Sequence, residues 1–110
     1  MKHSTGAPTK DEKRRLDQLA ALGCVACRVS YRVGCGPLEI HHLLRGNKRR
    51  GHMFTIPLGR WHHRGEPLEG RTKTYMRALY GPSLALHGKA FRLTYGSDTE
   101  LLSLTNTMLL

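Results

Sequence analysis

Two His-His doublets, His41-His42 and His62-His63, bracket a basic loop in the run LEIHHLLRGNKRRGHMFTIPLGRWHHRG, residues 38–65. Leu38, Ile40 and Leu43 stand among polar residues in near-alternation, which predicts a short strand over 38–43. Adjacent strand residues point to opposite faces, so only one histidine of the first doublet faces a given site. MFTIPL at 53–58 is β-prone until Pro57, which is expected to limit the pairing. Arg60 then opens a helix bearing the second doublet, cut short by Gly65 and Pro67. The loop between the strands, Arg45 to His52, is basic and carries glycine towards both ends. A hairpin followed by a short helix is the expected core of the fold.

The flanks supply helices. MKHSTGAP at 1–8 has no periodicity and reads as a flexible tail. Thr9 and Glu12 form the T-x-x-E of a capping box, Leu16, Leu19, Ala20 and Leu22 give a narrow apolar face, and Gly23 suits a left-handed cap. That helix delivers the chain into GCVACR, a tight knuckle, and VGCGP at 33–37 is a turn, with nothing regular expected between them. KTYMRALY at 73–80 has helical composition and stops at Gly81-Pro82. Leu84 to Tyr95 reads as a helix interrupted at Gly88 and bearing His87. A second capping box, Ser97 to Glu100, starts a last helix through Leu101 to Leu109. Without internal repeats, residues 9–110 are expected to form one α+β domain.

A chain of 110 residues buries only about two-thirds of its unfolded surface, so a bound metal would help hold it. Three cysteines, an odd number, with no apolar segment near the basic N-terminus, argue against a secreted disulfide framework and for reduced thiols in the cytoplasm. No apolar run approaches the length of a membrane span. Eighteen Lys and Arg against eight Asp and Glu give a net charge of +10. A polyanion, nucleic acid first, is the expected partner.

Cys24 and Cys27 form a C-x-x-C, which is compatible with a metal half-site, a redox dithiol or core packing. The βαβ context usual for redox dithiols is missing. No pair of histidines has the three-to-five spacing of a DNA-reading zinc finger, and HExxH is absent.

A strand ending in His-His, a loop, a second strand and a helix opening on His-His resemble the ββα-metal arrangement of HNH endonucleases. The resemblance implies that His41 binds a catalytic metal, that His42 is the general base, and that His63 is a second ligand. GCVACR, EIHHLLRGNKRRGH, TIPLGRWHHRG and LHGKAFRLTYGSDTELL further resemble the phage recombination-enhancement nucleases of the Ref family, over roughly residues 22–102. In that family an HNH domain cleaves DNA in dependence on RecA filaments. A histidine ahead of a YG and a double Leu recurs there, which makes His87 the implied third ligand of a Mg2+ or Mn2+ ion.

The sequence departs from the pattern twice. Cysteine usually follows the PL of the second strand, as in PLCxxHH, and Gly59 stands there instead. Cys35 can supply the missing thiolate, giving a structural Zn2+ set of Cys24, Cys27, Cys35 and His62; the alternatives are a three-ligand site or no zinc. Asparagine is common where this chain has Phe54-Thr55, which leaves Thr55 to orient His42. Arg45, Lys48, Arg49, Arg50 and Arg64 are the expected phosphate contacts. The expected function is thus a metal-dependent DNA endonuclease working with RecA-coated DNA. A zinc-stapled nucleic-acid-binding module and a degenerate nuclease are the alternatives.

Overall fold

The structure is a computed structural model and describes residues 6–110. The fold is small and α+β, a two-stranded hairpin surrounded by helices. Strand β1 (Leu38–His42) pairs antiparallel with β4 (Thr55–Gly59), in a register that sets His41 against Ile56 and His42 against Thr55. Pro57 does not limit this ladder as expected. It pairs with Ile40, and the ladder continues to Leu38 and Gly59. Among the described residues this sheet has two strands, so proline's missing N–H can lie on the edge away from the partner strand.

The basic loop is more ordered than the sequence suggested. Within it, β2 (Leu44–Arg45) and β3 (Lys48–Arg49) form their own two-residue ladder, turned at Gly46, whose φ is +62°. Glycine adopts that left-handed conformation without the steric penalty a Cβ brings.

Every residue of β4 is buried, and the strand touches α1, α2, α3 and α6. Helix α1 (Lys10–Leu22) starts at the expected Thr9–Glu12 capping box. Its inward face differs from the expected apolar stripe: the buried residues are Leu19 and Arg15, and Ala20 is exposed. Arg15 donates from Nε to the Thr55 hydroxyl at 3.1 Å, from Nη2 to the Thr55 carbonyl at 2.7 Å, and from Nη1 to Asn106 Oδ1 at 2.7 Å. A buried cation is tolerated here because each of its nitrogens has an acceptor. Residues 1–5 of the expected N-terminal tail lie outside the described residues, and Gly6, within it, accepts a hydrogen bond from His52.

The tight knuckle expected at GCVACR forms the start of a helix that runs on to Ser30, where nothing regular was expected. Cys24 is the N-cap of α2 (Val25–Ser30), its sulfur accepting from the Cys27 N–H at 3.4 Å, and Tyr31 closes the helix in the left-handed region. Val25 and Ala26 pack with Leu43, Ile56, Leu58, Phe91, Tyr95 and Leu101 in the main core. A second cluster joins Cys27 and Cys35 to Trp61 and Met76.

Helix α3 (Arg60–Arg64) ends at Gly65 as expected, and α4 (Lys73–Tyr80) at Gly81. The region after Ser83 departs from expectation. Residues 84–87 are turn and coil, and α5 (Gly88–Tyr95) begins at Gly88, with His87 as its N-cap. The backbone N–H groups of Leu84 and Ala85 donate to the carbonyls of His62 and His63, which ties the turn to the end of α3 and prevents an earlier helix start. Helix α6 (Asp98–Met108) opens on the second capping box.

Candidate metal centre and histidine sites

Cys24, Cys27, Cys35 and His62 meet at the junction of α2, the 33–37 turn and α3, with one donor atom from each lying within 4.8 Å of all the others. Tetrahedral zinc, bonded at about 2.3 Å to sulfur and about 2.0 Å to nitrogen, separates its donors by about 3.5–3.8 Å. His62 Nδ1 lies 3.4 Å from Cys24 Sγ and 3.7 Å from Cys27 Sγ. The donor set and the spacing fit, so these four residues can hold zinc. His62 Nε2 faces the Tyr80 carbonyl at 2.8 Å. A carbonyl only accepts, so Nε2 carries the proton and Nδ1 is left to bind metal.

The cluster's electrostatics agree. Hydrogen bonds from Cys27 and Cys35 pull the Cys24 thiol far down against the effect of burial, and hydrogen bonds with Cys24 and Cys27, then burial, push Cys35 far up. Burial alone would lower His62, but its hydrogen bonds to Cys24 and Cys27 raise it to about 10. Protons are therefore retained unevenly among four crowded donors, and a dication that binds all three thiolates displaces them.

Gly59 explains why the third thiolate comes from Cys35. A Cβ built on Gly59 would fall on the Cys35 sulfur and 3.2 Å from the Gly36 carbonyl oxygen. A side chain at 59 and the Cys35 sulfur compete for one space. The absent Cβ at Gly59 leaves room for the Cys35 sulfur.

His41 of the first doublet and His63 of the second come together with Glu39. Glu39 and His41 share one face of β1, and His63 on α3 bridges them. His63 Nδ1 lies 2.8 Å from Glu39 Oε1, and its Nε2 lies 3.2 Å from His41 Nδ1. The carboxylate fixes the proton on Nδ1 and turns the Nε2 lone pair toward His41, as buttressed metal-binding histidines are arranged. Glu39 also takes Arg64 at 2.7 and 3.0 Å and Arg60 at 3.4 Å. Burial opposes ionisation of Glu39, but the Arg64 and His63 hydrogen bonds outweigh it and hold the carboxyl below its usual range. Burial, then the neighbouring His63, lowers His41 to about 4, so it is a neutral imidazole with a free lone pair at pH 7. Glu39 was not singled out from sequence, although its place two residues before His41 on a strand puts both on one face.

His42 points the other way. Its Nε2 lies 3.1 Å from Nδ1 of His52, which is 6% exposed. Burial, then Arg49 and His52, lowers the His42 pKa. Thr55, the residue expected to orient His42, is engaged elsewhere: its hydroxyl donates to the His52 carbonyl at 2.7 Å and accepts from Arg15.

His87 is not brought to the His41–His63 pair. Among the described residues, the cysteine-rich cluster is the one group of three or more His, Cys, Asp or Glu donors close enough to share a metal. His87 Nδ1 accepts from the Ser83 N–H at 3.1 Å, and its ring lies 6.3 Å from Trp61. It lines a cavity of about 540 Å³ with Lys73, Thr74, Arg77 and Ala78 of α4. The turn pinned to the end of α3 carries it there.

The basic residues separate into two groups. Arg45, Lys48 and Arg49 are exposed on the small ladder, and with Arg50 and Phe54 they line a cavity of about 340 Å³. The Arg50 guanidinium lies 4.3 Å from the centre of the Phe54 ring. Arg64 belongs instead with Glu39. No helix among the described residues is long and apolar enough to cross a membrane.

The sequence-family model described as recombination enhancement, RecA-dependent nuclease matches residues 8–110. That match spans nearly the whole chain, the cysteine-rich cluster and both histidine doublets included, and the protein belongs to this family of RecA-dependent nucleases.

Proposed function

We propose that the protein is a metal-dependent DNA endonuclease of the HNH type, hydrolysing phosphodiester bonds when RecA–DNA filaments direct it. The observation that carries this reading is the pairing of His41 Nδ1 with His63 Nε2 at 3.2 Å, with Glu39 holding the far side of the His63 ring. These two imidazole nitrogens are the residue atoms that would hold a divalent ion. Mg2+ or Mn2+ held there would supply Lewis-acid charge to the phosphodiester being cut. Two nitrogen donors suit Mn2+ better than Mg2+, which prefers oxygen. His87 is left out of this ligand set.

His42 takes the proton from the attacking water. Its lowered pKa keeps it neutral, and so able to do so, at pH 7. Arg45, Lys48, Arg49 and Arg50 hold the strand through its phosphates without reading its sequence. The cysteine-rich cluster has a separate task, anchoring α3 so that His63 meets β1.

The test is nicking of plasmid and single-stranded DNA with Mg2+ or Mn2+, with and without RecA filaments, for the parent and His42→Ala. Cleavage by the parent that disappears in the variant while DNA binding persists supports the reading. A parent that binds DNA and cuts under none of these conditions overturns it in favour of a zinc-stapled binding module.

A further inference from the structure

A base histidine works only if the nitrogen facing the water is bare. In neutral imidazole one nitrogen carries a proton and the other does not, and the partner of the first decides which. In this chain the hydrogen bonds around His42 form a closed sequence. Gly6 contributes a carbonyl oxygen 2.7 Å from His52 Nε2. A carbonyl can only accept, so Nε2 of His52 carries the proton. Neutral His52 then has a bare Nδ1, and that atom lies 3.1 Å from Nε2 of His42. His42 must donate there. Its Nδ1 is therefore left without a proton.

We propose that His52 is the positioning residue for His42, fixing its tautomer through a chain of hydrogen bonds that ends on the Gly6 carbonyl. This rests on the reading of His42 as the base. The two rings meet edge to face, with centroids 5.2 Å apart and planes inclined at 68°, so the bond also fixes the direction in which the His42 ring points. His52 is buried, and water does not compete for its Nδ1. When His42 takes a proton on Nδ1, its Nε2–H still donates to His52, so the relay serves the cationic form as well as the neutral one. His52 touches no reacting atom and acts through His42 alone. Ten residues of sequence separate the two rings, and the small β2–β3 ladder with the turn after it closes that gap.

The experiment compares the parent with His52→Asn and His52→Leu. Asparagine Oδ1 can stand where histidine Nδ1 stood and accept the same bond, whereas leucine fills space and accepts nothing. The first readout is the nitrogen-15 spectrum of the imidazoles, which reports the protonated nitrogen of His42 without any reaction. The second is kcat and KM for nicking with Mn2+ and RecA filaments.

The parent and His52→Asn are expected to hold the His42 proton on Nε2, and His52→Leu to lose that preference. In His52→Leu, kcat is expected to fall ~10- to 100-fold, the usual range for loss of a supporting partner, with KM little changed. His52→Asn is expected to recover most of the loss. A parent His42 protonated on Nδ1 overturns the proposal, and this reading needs no variant to fold. A His52→Leu protein with full kcat overturns it as well, as does a His52→Asn protein no better than His52→Leu. If the parent shows the Nε2–H form and cuts no DNA, the hydrogen-bond relay stands and the nuclease reading fails, so the two can be told apart.

Discussion

Replacing Gly59 by alanine tests the shared space at the cysteine-rich cluster. The backbone at Gly59 has φ −66° and ψ 161°, a conformation open to any residue. At an unencumbered position of this kind, Gly→Ala stabilises by ~0.4–1 kcal/mol, because alanine restricts the unfolded chain. Here the added methyl would fall on the Cys35 sulfur, far inside the ~3.5–4 Å of ordinary contact. To restore contact the sulfur must retreat by about 1.5 Å, while metal–ligand distances tolerate only ~0.2 Å. Cys35 cannot give way and stay a ligand, and the Gly36 carbonyl blocks a small shift of the methyl itself. Overpacking of this kind costs ~1–3 kcal/mol, which for a chain of this size lowers the melting temperature by roughly 4–12 °C, before weakened zinc binding is added.

The assay is thermal melting of the zinc-loaded proteins, with zinc content measured by a chromogenic chelator. The double variant Cys35→Ala/Gly59→Ala supplies the control: with the sulfur gone, the second alanine should add no further loss, and the cycle should show strong coupling. A Gly59→Ala protein that melts above the parent and keeps its zinc would refute the reasoning.

Three further outcomes are expected. His41 has its pKa lowered to about 4, against an ordinary 6.5. Between those values the unfolded chain binds the proton more readily, so metal-free protein should lose stability as pH falls from 6.5 toward 4 and show no effect of this group above 6.5. His41→Asn should flatten that part of the melting-temperature profile, and an unchanged slope counts against the assignment. Glu39→Ala should weaken Mn2+ binding ~10- to 100-fold, measured by calorimetry, because His63 loses the acceptor that fixes its tautomer; unaltered affinity would remove Glu39 from the site. Arg49→Ala should weaken DNA binding evenly across sequences and reduce the salt-dependence slope by ~1, read by titrating salt, whereas loss of preference for one sequence would mean a base contact instead.

The sequence carried its local rules plainly. Both capping boxes and the alternation around Ile40 rest on neighbours within a few residues, and all three elements form where expected. The four residues that meet in the cysteine-rich cluster were legible because C-x-x-C and the HH helix are short patterns, and Gly59 in place of a cysteine left Cys35 as the remaining thiol. What escaped depends on distant partners. Arg15 looks like a surface cation on a helix, and its three acceptors come from β4 and α6. His52 lacks any short-range pattern that would pair it with His42. Gly88 looked like a break within a helix, and the bonds from Leu84 and Ala85 to α3 make it the helix's first residue. The placement of His87 was drawn from family order, which records succession along the chain and not direction in space.

The Arg15 guanidinium has a bearing on when the protein is finished during synthesis. It joins a residue near the beginning of the chain to Asn106 near its end, 91 positions later, and grips β4 between them. On the ribosome the four cysteine-rich ligands have all emerged long before Asn106, so the cluster can fill while Arg15 still lacks one acceptor. The clamp on the strand opposite His41 and His42 is complete only once Asn106 of α6 has emerged. Nascent chains should therefore hold zinc first and an ordered histidine face last.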